Sequence, residues 1–172
     1  MAIRDTLEVY IDGSLDNSRN GSWAVAAFMN DKLIFESSGF TKTDSTDANR
    51  TETLAFIDAV SHVAMILPSF VNEAIFYSDS KALVDAYNRF TNLGDKNNDL
   101  AHLLDDIRDD YPGLILRWVK GHSGNKWNNL VDRLAKRARI ERKGHFKIRD
   151  WEQPAKAKAK IKNENPREKA KH

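Results

Sequence analysis

With 172 residues, 41% hydrophobic and 30% charged, the chain has enough material for one domain around a full hydrophobic core. It contains no cysteine, which excludes a disulfide framework and a thiolate metal site, and no apolar run approaches the ~20 residues that span a bilayer. The net charge of +2 hides an asymmetry: residues 154–172 carry seven Lys or Arg against two Glu, leaving the rest at −3, and a mildly acidic body with a basic tail points to a polyanionic partner.

"TLEVYID" (6–12) alternates around Leu7, Val9 and Ile11 and reads as a strand. "SWAVAAFMN" (22–30) and "KLIFESSGF" (32–40) are two more, with Asn30 and Asp31 suited to a tight hairpin turn. A helix follows, capped by the polar run before Asn49, continuing at helical spacing through Leu54, Ile57, Ala64 and Leu67, and stopped by Pro68. "EAIFYSD" (73–79) reads as a buried strand, 80–90 and 98–111 as helices, "LILRWV" (114–119) as a fifth strand and 126–142 as the last helix. The order β-β-β-α-β-α-α-β-α predicts an α/β protein with a mixed five-stranded sheet. Strands 1–3 are antiparallel, and strand 4 lies beside strand 1 and parallel to it. Residues 142–153 retain Phe146, Ile148 and Trp151 and form an extension with the means to pack on the domain, whereas the low-complexity residues 154–172 are expected to be disordered in isolation. No apolar leader core opens the chain, so the cytoplasm is the expected location.

Four acids break the apolar pattern. Asp12 and Asp79 end strands 1 and 4; Glu52 shares a helix face with Ala55, Ala59 and Val63; Asp132 lies beside Val131 at the margin of the last helix's core face. Taken singly, each has an ordinary reading: a turn residue, a helix cap, a solvated flank, and a surface partner for Arg133 or Lys136. Taken together they converge, because ligands in an open α/β sheet bind beyond the carboxyl ends of adjacent central strands. Carboxylates crowded there repel, and a cation must hold them ionised. Oxygen-only ligands favour Mg²⁺ or Mn²⁺. This is the donor set of two-metal phosphoryl hydrolysis, in which one ion generates hydroxide and the other stabilises the leaving oxygen.

"YIDGS", "NRTET", "YSDSKALV" and "WVKGHSGNKWNNLVDRLAKRA", in that order across about residues 6 to 141, resemble type 1 ribonuclease H. The last block is the most specific, since Trp-Val-Lys-Gly-His, Asn128 and Asp132 all keep the family spacing. The resemblance implies a ribonuclease H-like fold with strand order 3-2-1-4-5 and helices on both faces, over a catalytic domain of residues 1–141. It also implies an endoribonuclease cleaving the RNA strand of RNA/DNA hybrids with two Mg²⁺ ions, Mn²⁺ being a substitute. The metal ligands would be Asp12, Glu52, Asp79 and Asp132. His122 would assist proton transfer or product release, a task suited to an imidazole with an ordinary pKa of ~6.5. Asn17, Lys42, Asn49, Phe90, Asn97 and Asn128 would bind substrate, whose 2′-hydroxyls are read across a wide, shallow minor groove.

The sequence also departs from the family. "LDNSRNGSW" holds a single glycine where a Gly-rich segment is usual, Ala48 replaces a frequent Asn, and "KTDSTDAN" is longer than usual. Between Asp79 and Lys96 only Lys81 and Arg89 are basic, so the basic handle of many bacterial members is missing, and the basic tail is a candidate replacement clamp. Two alternatives remain open: a ribonuclease H-like nuclease acting on DNA, and a hybrid-binding module without catalysis. No membrane partner is expected, and a monomer is the expected state.

Overall fold

The computed structural model describes residues 5–43 and 46–149. The predicted tail and the end of the extension before it lie outside the described residues. Three long strands open the fold: β1 (Leu7–Leu15), β2 (Asn20–Met29) and β3 (Lys32–Lys42). The β2–β3 turn takes positive φ at both Asn30 and Asp31, 52° and 61°, as a two-residue hairpin matched to the right-handed strand twist requires. After α1 (Ala48–Ile66) come β4 (Ile75–Ser78), α2 (Lys81–Tyr87), α3 (Asn98–Asp110), β5 (Ile115–Trp118) and α4 (Lys126–Glu141). β1 pairs antiparallel with β2 and parallel with β4, and β4 pairs parallel with β5.

The sheet order is β5-β4-β1-β2-β3-β6. Its first five positions are the predicted order; the sixth strand, β6 (His145–Ile148), was not foreseen. It pairs antiparallel with β3 from Phe35 to Ser38, and at four residues, all of them exposed, it shows too little alternation to read as a strand. Buried Glu36 anchors it, 3.3 Å from His145 Nε2 and 3.8 Å from Arg149 Nη2.

Strand parity divides the core between the two faces. Val9, Ile11, Val25 and Ala27 pack toward α1 with Phe56, Val60 and Val63. Tyr10, Ala24, Ala26 and Phe28 pack toward α4 with Val131 and Ala135. Asp12 continues the Tyr10 parity, so the end of β1 points its carboxylate at the α4 side. No described helix is long and apolar enough to cross a membrane.

Candidate active site

Asp12 ends the buried stretch of β1 at only 5% exposure. Gly13 follows, and its backbone N–H serves two acids, donating to Asp12 Oδ1 at 3.0 Å and to Glu52 Oε2 at 3.2 Å. A Cβ at Gly13 would stand 3.1 Å from the Thr51 carbonyl oxygen, so glycine lets β1 and the first turn of α1 approach closely enough to bring the two acids together. Asp47 caps α1, its side chain accepting from the Asn49 and Arg50 N–H groups, and so fixes the helix start that places Glu52.

Asp79 leaves the end of β4 beside Asp12, and its expected alternative use as a helix cap is not realised: Ser80 caps α2, accepting from the Leu83 N–H at 3.3 Å. Carboxylate oxygens of Asp12, Glu52 and Asp79 all lie within 4.8 Å of one another. Asp132 approaches from α4, outside that group of three. Its charge acts on Asp12, while its Oδ2 accepts from Lys136 Nζ at 3.0 Å. The expected surface pairing with Lys136 therefore occurs, and the three acids within 4.8 Å of one another do not include Asp132.

Burial, then the charges of Glu52, Asp79 and Asp132, push the Asp12 carboxyl up to about 10 from an ordinary 3.8. Burial and the Asp79 charge raise Glu52 to about 8, against the lowering effect of the Gly13 N–H. Without a cation, burial and mutual repulsion favour the protonated forms of Asp12 and Glu52. An oxygen-only cluster that resists ionisation by itself fits a hard divalent ion, which would hold the carboxylates in their charged form.

His122 lies in the turn before α4 with φ at 53° and its ring exposed. The turn approaches the cluster at Gly121, where a Cβ would stand 3.1 Å from Asp79 Oδ2. The loop so places an exposed imidazole one residue from that contact. Sequence reasoning missed this close approach, and also the Trp118 indole N–H that donates to the Asp79 carbonyl at 3.2 Å. The double-serving Gly13 N–H was missed too, although "DGS" is the signal that could have found it.

The predicted substrate residues divide by exposure. Asn17, Lys42 and Asn49 are exposed, and Phe90, three residues past the end of α2, is 81% exposed. Asn97 is buried and fully engaged, donating to Asp47 Oδ2 and the Leu93 carbonyl and accepting from Arg50. Asn128 is buried in the first turn of α4, its amide oxygen without a hydrogen-bond partner among the described residues. Trp127 packs its ring 4.0 Å from that of Phe28, with Lys126 Nζ 4.0 Å above it.

Comparison with known proteins accords with this geometry. Residues 4–140 match the RNase H family. The ribonuclease H of Caldanaerobacter subterraneus subsp. tengcongensis is 35% identical over 76% of this chain and 89% of that protein. The ribonuclease HI of Synechocystis sp. is 29% identical over 76% and 86%. Among solved structures, RNase H1 of the halophilic archaeon Halobacterium salinarum NRC-1 superposes with a TM-score of 0.66 at 14% identity, covering 79% of this chain and 98% of that one. LC11-RNase H1, solved in complex with an RNA/DNA hybrid, gives 0.64 at 17%, covering 77% and 99%. At such identities the structural likeness concerns the fold; the sequence match over residues 4–140 concerns the family. Strand order, clustered acids and family match agree, and the chain belongs to the ribonuclease H family.

Proposed function

We propose that the chain hydrolyses the RNA strand of RNA/DNA hybrids, with Asp12, Glu52, Asp79 and Asp132 holding two Mg²⁺ ions that Mn²⁺ can replace. The observation that carries this reading is the cluster of three carboxylates within 4.8 Å, two of them pushed well above the ordinary carboxylate range. When bound, the ions supply Lewis-acid activation of a water and of the leaving oxygen. The chain's own part is to pre-position the ligands. Gly13 fixes Asp12 and Glu52 through one N–H, Ser80 leaves Asp79 free of capping, and Lys136 sets the charge around Asp132. His122, exposed on its turn, moves a proton to or from the reacting oxygens.

Exposed Asn17, Lys42, Asn49 and Phe90 contact the hybrid, Lys42 at a phosphate and Phe90 against a deoxyribose. Buried Asn97 bears on substrate through the Leu93 backbone it holds, and Asn128 through its position in the first turn of α4. The tail of residues 154–172 adds a nonspecific electrostatic clamp, and the protein acts as a cytoplasmic monomer. The test is incubation of labelled RNA/DNA hybrid, double-stranded RNA and double-stranded DNA with Mg²⁺, wild type beside Asp79→Asn. Cleavage of the hybrid alone, lost in the variant, supports the reading. Equal cleavage of DNA, or no cleavage of any substrate, overturns it.

A further inference from the structure

Helix α4 has two polar flanks. One carries Asp132 and Lys136 at the acid cluster; the next carries Lys126, Leu130 and Arg133, four and three residues apart and so one above another. Lys126 and Arg133, with Lys32 at the start of β3 and Arg149 just after β6, rim an open groove of about 670 Å³ with Trp127 and Glu36 in its lining. The other cations of α4 are paired: Lys136 with Asp132, Arg137 with Glu141, and Arg139 with Asp16. Lys32, Lys126 and Arg133 have no carboxylate partner among the described residues, and Glu36, the acid in the groove, is already engaged by His145 and Arg149. Three uncompensated cations thus converge on one concave surface.

We propose that this groove between α4, β3 and the end of β6 is a second nucleic-acid contact, which takes the single-stranded phosphodiester chain continuing beyond the cleaved duplex. The inference rests on the hybrid-hydrolase reading. The groove is open to solvent, which suits a nucleic-acid strand better than an enclosed small ligand. The Trp127 ring is already engaged by Phe28 and by Lys126, each 4.0 Å away, so the grip is by phosphate contacts and is indifferent to base sequence. The chain's own tail is the wrong occupant, since its seven cations against two acids repel the groove.

The test uses the full chain and a fluorescein-labelled 20-residue deoxythymidine strand, followed by anisotropy across a salt series. Lys32→Gln with Arg133→Gln removes two groove cations; Arg142→Gln with Lys143→Gln removes the same charge elsewhere. The groove variant is expected to bind roughly five- to tenfold more weakly at low salt, with a salt slope smaller by about 1.4, two phosphates at about 0.7 each on a single strand. The control pair should change affinity less than about twofold, and cleavage of a blunt hybrid by the groove variant should match wild type within about twofold. A groove variant with the wild-type slope, or no weaker than the control, overturns the proposal, as does tighter binding of a poly-glutamate of equal length. If wild type fails to cleave hybrid while the groove variant still loses strand binding, the catalytic reading fails and the groove stands.

Discussion

Asp12→Asn should stabilise the metal-free protein while abolishing its activity. With its carboxyl raised from 3.8 to about 10, the folded state keeps a proton that the unfolded chain releases, so stability is fully present below pH ~4 and declines as pH rises toward the folded value. Each pH unit above the ordinary carboxylate value costs about 1.4 kcal/mol, which sets a ceiling of about 4 kcal/mol by pH 7. Glu52 and Asp79 share that repulsion, and a buried amide leaves some hydrogen bonding unmet at about 1 kcal/mol, so the net gain should be about 1–3 kcal/mol. For a domain of this size that is a rise in Tm of roughly 3–10 °C. The amide oxygen can still accept from the Gly13 N–H, so the backbone at the site need not move. Thermal melts in EDTA at pH 5, 7 and 8 should show a gap between variant and wild type that widens with pH. Saturating Mg²⁺ should narrow it by stabilising wild type alone. A variant that melts at or below wild type at pH 8 in EDTA, or a gap independent of pH, would refute the reasoning.

Ser80→Ala should lower stability by about 1 kcal/mol by removing the α2 cap, whereas Asp79→Asn should not, and chemical denaturation of the two variants separates the roles. Gly121→Ala places a methyl 3.1 Å from Asp79 Oδ2, and steady-state kinetics should show kcat reduced by about tenfold with little change in melting temperature. Phe90→Ala should change stability by less than about 0.5 kcal/mol, because the ring is exposed, while raising KM for hybrid; a large loss of stability or an unchanged KM would contradict this.

Most of the fold was legible because its signals are local and periodic. The alternation of Leu7, Val9 and Ile11, the Asn30-Asp31 turn and the Pro68 stop each encode an element without reference to distant residues. β6 was not legible, since its pairing depends on a buried Glu36 more than a hundred residues earlier in the chain. At the site, the four acids stood out as polar residues in apolar surroundings, and their ordering along the chain carried the resemblance. The identity of the α2 cap did not stand out: Asp79 and Ser80 are both good caps, and only the backbone geometry decides for Ser80. The fates of Asn97 and Asn128 were equally hidden, because an asparagine reads the same whether it faces substrate or ties a loop internally. Exposure of Phe90 was likewise undecidable from a helix end alone.

The central claim is that these crowded carboxylates give up their protons to hold a divalent ion. Calorimetric titration of Mg²⁺ into wild type at pH 7.5, in two buffers of different ionisation enthalpy, counts the protons released on binding. The raised Asp12 and Glu52 carboxyls predict release of about one to two protons per site, reduced by about one in Asp12→Asn. Binding without proton release, or equal release from the variant, would contradict the account.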